Sequence, residues 1–244
     1  MALTRREQRE LNRDLKRQQE QAARRGVRSG IARVLARIAR RILRLEVSET
    51  ADALERGEDG VAFAEEARLR WSERWRISLE APLEEAAIEA GERVAEAVGG
   101  ESLPPSLERA LSEHVSRLSE TLSETSYNNV RDVIREAQSS GLSVPQTAAR
   151  LREQEPEMSK YRSELISRTE LLQTSRLGAY IQAQESELVA GQFWRTAQDS
   201  RVRESHRAME GEYTELGQPF SSGQTIVGFG DPNCRCHAEF VLKE

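Results

Sequence analysis

The chain is poor in the residues that build a compact enzyme. Of its 244 residues 5% are aromatic and 37% hydrophobic, while 32% are charged. That balance favours a largely helical, extended protein over a compact catalytic domain. Lysine is scarce too: only Lys16, Lys160 and Lys243 share the cationic load with arginine. Arginine suits bidentate contacts to phosphate or carboxylate, although coding bias gives the same ratio. Cysteine occurs twice, as Cys234 and Cys236. One intervening residue strains a disulfide, so reduced or metal-bound thiols in a cytosolic setting are expected. No apolar run reaches transmembrane length, and no apolar segment of signal-peptide type follows the charged N-terminus. Neither a membrane span nor a secretory signal is therefore expected. The glycines near the C-terminus lack the GxxxxGK[ST] context of a phosphate loop.

What the chain does have is helical periodicity and a charge asymmetry. The net charge is −5, yet residues 1–44 carry fourteen basic against four acidic residues, which leaves the remainder strongly acidic. A basic arm on an acidic body points to an anionic partner at one end. Residues 5–25 are polar helix formers. After Gly26, Val27, Ile31, Val34/Leu35, Ile38, Ile42 and Leu45 recur at helical spacing, with Arg28, Arg33, Arg37, Arg40, Arg41 and Arg44 on the other faces. The apolar stripe reads first as a packing face with solvated arginines, second as a phosphate-binding helix for nucleic acid, and last as a membrane-surface helix, which lacks an aromatic anchor. Phe63, Ala67, Trp71, Trp75 and Leu79 fall four apart and predict a core face. Pro82 is expected to open a new helix, and Pro104–Pro105 another along Leu107, Leu111, Val115, Leu118 and Leu122, with His114 on its edge. Ser126–Asn129 loosens the pattern. A short helix over 145–152 is expected after an N-cap at Ser143, separated by Pro156 from a long helix over 159–188 that Gly191 ends. Gly178 and Ala179 allow another helix to approach.

Beyond Gly191 the pattern changes. Residues 192–197 read as a strand with Trp194 inward, and Asp199 as the N-cap of a short helix ended by Gly211. Residues 212–216 read as a second strand and 237–242 as an edge strand. The expected fold is mainly α, an extended helical N-terminal and middle region with a small C-terminal α+β cap. The expected segments are 1–48, a basic helical arm; 49–103 and 104–190, helical; and 191–244, the cap. His206, Cys234 and Cys236 are three potential soft ligands, with Asp199, Asp231 and His237 near them in sequence. Zinc needs about four such donors in tetrahedral array. Buried thiols with an internally bonded His206 stand first and a metal site second. A catalytic variant, with Asp199 and His206 as an acid–base pair or a zinc-bound water, would make a hydrolase acting on nucleic acid.

Several short pieces recur in a fixed order. They are Gly141-Leu142-Ser143 with Leu151-Arg152; Ile166 with Arg168-Thr169-Glu170; Trp194 through Asp199, Arg201 and Arg203 to His206; Gly211; Pro219-Phe220; and Asn233-Cys234-Arg235-Cys236. From about Tyr127 onward this ordered set resembles the phage Mu F-like family of head morphogenesis, or minor capsid, proteins. The resemblance implies a minor structural protein inside the head of a tailed phage, made in the host cytoplasm and placed near the portal vertex. It implies association with the portal protein, and with major capsid protein or scaffold, and assistance to head assembly, DNA packaging or ejection. It implies no enzymatic activity. Packaged double-stranded DNA is the expected partner of Arg33, Arg37, Arg40, Arg41 and Arg44. Many family members carry a further C-x-x-C where this chain has Glu204, Ser205 and His206. The expected cofactor is none, or zinc on His206, Cys234 and Cys236 with Asp199 or His237 as fourth ligand.

Overall fold

The computed structural model describes residues 30–98 and 104–243. The polar arm over 5–25, the start of the basic helix at Gly26–Arg28 and the expected stop at Gly99–Gly100 lie outside those residues. Within them the order is α1 (Gly30–Glu55), α2 (Gly60–Val98), α3 (Pro105–Ser139), α4 (Val144–Glu185), β1 (Val189–Arg195), α5 (Glu204–Ala208), β2 (Tyr213–Glu215) and β3 (His237–Leu242). The fold is mainly α with a small α+β cap, as the periodicity predicts.

The chain forms two compact units. One consists of Arg33–Pro82 and Ser112–Ser167 and holds helices joined by short turns, with no strand among the described residues. Its core draws Ala51 and Leu54 from α1, Ala64, Ala67 and Trp71 from α2, Val130 and Ile134 from α3, and Ala148 and Leu151 from α4. The tryptophans of the four-residue stripe are fully buried, and each satisfies its indole N–H on a glutamate of α1. Trp71 donates to Glu49 at 2.8 Å and Trp75 to Glu46 at 2.7 Å. The stripe on α1 is shifted from the expected one. Leu35, Ala39, Ile42, Leu43 and Glu46 are buried, while Val34 and Leu45 are exposed.

Two prolines do not break helices. Pro82 lies inside α2 and Pro156 inside α4. An interior proline costs about 3 kcal/mol through a lost backbone bond and a steric clash. Leu79 and Leu83 around Pro82, and Leu151 and Ser159 around Pro156, are buried, and that packing holds each helix through the defect. Ser126–Asn129 is likewise continuous helix, with Ser126 buried. Before α4 the Ser143 N-cap stands, and the Gln146 carboxamide oxygen accepts from the Ser143 backbone N–H at 2.8 Å.

The other unit holds Leu83–Leu111 and Arg168–Glu244 with the first residues of α1. Its three-stranded antiparallel sheet has the order β2-β1-β3, so β3 is an edge as expected. Gly191 lies within β1 and does not end α4. A Cβ there would come within 2.4 Å of the Thr214 carbonyl and the Tyr213 hydroxyl, so glycine is demanded by strand packing. Val94, Ala97 and Val98 of α2 pack with Tyr180 and Ala183 of α4 and with Val189, Phe240 and Leu242 of the sheet. Gly178 makes the close helix approach that its size allows: a Cβ would lie 2.1 Å from the Ala87 carbonyl oxygen.

Candidate functional site

The cap is fastened to one face of α4. Thr169, Gln173 and Arg176 recur at i, i+4 and i+7, hence on one side of the helix. Each bonds the irregular segment before β3. Thr169 Oγ1 accepts from the Asn233 N–H at 3.2 Å, and Gln173 Oε1 accepts from the Gly230 N–H at 2.8 Å. Arg176 donates to the carbonyls of Gly228 at 2.9 Å and of Cys234 and Cys236 at 2.7 Å each. Burial lowers the pKa of its guanidinium, and both cysteines oppose that shift.

On the other side of this segment lie His206 of α5, Cys234 and Cys236, all buried. His206 Nδ1 is 3.5 Å from both sulfurs. The three donor atoms lie within 4.8 Å of one another. His206 Nε2 faces Asp231 Oδ2 at 3.3 Å, and that oxygen also accepts from Gln224 Nε2 at 2.7 Å. Trp194, fully buried, meets the His206 ring edge-on at a centroid distance of 5.3 Å and Phe220 at 5.2 Å. The thiols titrate as a pair. The hydrogen bond from Cys236, helped by Arg176, lowers the pKa of Cys234, and the same pairing pushes Cys236 upward. A positive φ of 56° at Asn233 makes the turn ahead of the cysteines, and Gly228 leaves room for Cys234, whose sulfur would lie 2.4 Å from a Cβ at 228.

The remaining motif residues divide between scaffold and surface. Asp199 is not the partner of His206 and does not join the donor cluster. Its carboxylate takes two bonds from Arg235, at 2.5 and 2.6 Å, which hold it at about 2. It also caps the Arg201 N–H at 2.9 Å, and α5 begins later than expected, with Arg203 as its N-cap residue. Arg203 donates to the Pro232 carbonyl at 2.6 Å. Gly211, at φ +81°, donates to the Trp194 carbonyl at 2.9 Å. Arg168 is exposed while Thr169 and Glu170 are buried. His237 opens β3 opposite Arg195 and is outside the donor cluster. Arg176, Gln173 and Gln224 carry no sequence signature as single residues. The polar i, i+4, i+7 spacing on α4 is the signal that could have found the first two.

The helical unit carries a different feature. Arg37, Arg40, Arg41 and Arg44 of α1 line an open recess of about 560 Å³ with Lys160 of α4, alongside Leu45, Ser163 and Glu164. Arg33 is exposed but does not line it. Arg44 also pairs with Glu155 at 3.0 Å. None of the described helices is long and apolar enough to cross a membrane.

Residues 128–239, which include α4 and nearly all of the cap, match the family described as Phage Mu protein F like protein. Over this stretch the chain is similar to that family. No curated protein and no solved structure matches the chain. The family points to phage head morphogenesis, and so to a component of the virion.

Proposed function

We propose that this Mu F-like chain is a minor structural protein of a phage head. It associates with the portal, supports head assembly and contacts packaged double-stranded DNA through the recess on α1. The observation that carries the reading is the family match over residues 128–239, whose motif residues from Trp194 to Cys236 help to build the cap. Trp194, His206, Phe220, Cys234 and Cys236 are buried against one another and are used for packing and bonding. Turnover forms no part of the reading: His206, Cys234 and Cys236 are each at most 5% exposed, so a nucleic-acid phosphate has no approach to them. Five cations around one recess supply charge complementarity to a phosphate backbone.

The test is co-expression with the portal protein of the same phage, followed by affinity capture and sizing of the complex. Stable co-elution is expected, together with a low copy number of the chain in purified heads. Heads that assemble and fill normally without the chain would overturn the reading.

A further inference from the structure

We propose that His206 Nδ1, Cys234 Sγ and Cys236 Sγ together bind one zinc ion, and that Asp231 orients His206 to do so. The ion would be structural, pinning the segment before β3 to α5. This is independent of the head-assembly role.

Four observations lead there. The first is distance. With zinc–sulfur and zinc–nitrogen bonds of about 2.3 and 2.0–2.1 Å, tetrahedral angles place sulfur and nitrogen about 3.6 Å apart. Both sulfurs are 3.5 Å from His206 Nδ1. A single ring nitrogen has one in-plane lone pair or one proton. Hydrogen bonding therefore accounts for one of these approaches but not for two equal ones, whereas a shared ion accounts for both.

The second is the other side of the ring. Nε2 faces the Asp231 carboxylate, which Gln224 holds in turn. This is the arrangement that places the proton on Nε2 and leaves Nδ1 free to ligate, and carboxylate support of a metal-bound histidine raises its basicity. The third is the backbone. Arg176 bonds the carbonyls of both Cys234 and Cys236, while the intervening Arg235 is held by Asp199. This two-residue alternation sends both cysteine side chains one way and Arg235 the other, so the C-x-C spacing suffices for two ligands. The fourth is the surroundings. The Trp194 indole N–H reaches the Cys236 sulfur within the buried cluster that contains both cysteines. A buried N–H aimed at sulfur suits a metal-bound thiolate, a stronger acceptor than a neutral thiol.

The donor set of two sulfurs and one imidazole selects zinc over magnesium or calcium, which take oxygen. Binding would replace the thiol protons, so two thiolates neutralise the dication. Three protein donors leave one coordination position for a water.

The full chain, purified with zinc present and then dialysed, is analysed for metal by mass spectrometry. About one zinc per chain is expected. Cobalt in its place should give the near-ultraviolet sulfur-to-metal absorption of a thiolate site. Cys234→Ser and His206→Ala should lose the ion. Because those variants also alter a buried core, Asp231→Asn is the deciding one. It keeps every ligand and should weaken zinc by about 10- to 100-fold in competition with a chromophoric chelator. Arg37→Glu, in the recess of the helical unit, should leave zinc affinity unchanged. Protein that takes up no zinc with both thiols reduced overturns the site. Equal affinity in Asp231→Asn and the parent chain overturns the role of Asp231.

Discussion

Glu46 offers the sharpest quantitative test of the helical unit. Its side chain is 1% exposed and accepts from the Trp75 indole, and burial raises its pKa from 4.5 to about 7. Ser126, Arg162, Trp75 and Arg74 pull the other way but do not cancel the burial. Because the folded value is the higher one, the folded state binds the proton more tightly. The associated stability is fully present below about pH 4.5 and is lost as the pH rises through about 7. That change corresponds to about 3 kcal/mol. The perturbation is Glu46→Gln, which keeps an acceptor for Trp75 and removes the ionisation. Its absolute effect includes the cost of leaving Arg162, itself half-buried, without a counter-charge. The change with pH does not contain that offset. Urea unfolding followed by tryptophan emission, run on both proteins from about pH 4 to about pH 8, should show the stability difference moving by about 3 kcal/mol in favour of the glutamine. Titrations elsewhere cancel between the two proteins. A difference constant to within about 0.5 kcal/mol over that range would refute the assignment of a neutral, buried Glu46.

Three other substitutions test named features of the fold and the recess. Gly228→Ala places a methyl group 2.4 Å from the Cys234 sulfur at a φ of +63° and should cost about 1–3 kcal/mol in thermal or urea unfolding. Gly178→Ala drives a Cβ to 2.1 Å from the Ala87 carbonyl, which must separate α2 from α4; a loss of about 1–3 kcal/mol is expected, and an unchanged midpoint would argue against that close helix approach. Charge reversal at Arg37, Arg40 and Arg41 together should weaken binding to a DNA duplex. It should also flatten the dependence of log affinity on log salt, by about 0.9 for each phosphate no longer neutralised, in a fluorescence anisotropy titration.

The helical body was largely legible because burial in a helix leaves a period. Ala67, Trp71, Trp75 and Leu79 announce a buried face, and all four are buried. The misreadings came from residues whose local preference is overruled by packing. Pro82 and Pro156 are breakers in isolation, but each lies between buried neighbours, Leu79 and Leu83 around the first and Leu151 and Ser159 around the second. Gly191 looked like a helix stop because glycine favours such positions, whereas its function is to let β2 close on β1. The shifted stripe on α1 has a related cause. Glu46 takes a core position that its type forbids on average, because the buried Trp75 indole needs an acceptor there.

The cap shows a different limit. His206, Cys234 and Cys236 stood out by rarity, and the structure brings them together. Their supports did not stand out, since nothing in sequence spacing relates Asp231 to His206 or Arg176 to the peptide groups of 228, 234 and 236. Such partners depend on which way a carboxylate or guanidinium turns after the chain has closed, and a long irregular segment carries no period from which to read it. Asp199 illustrates the point. Both it and Asp231 lie near the donor set in sequence, and chemistry alone does not rank them. The bidentate bond from Arg235 commits Asp199 to the backbone turn ahead of α5 and leaves Asp231 as the carboxylate on His206. Exchanging the two roles would require Arg235 to turn toward the cysteine side of the segment. The carbonyl bonds from Arg176 fix the strand direction against that.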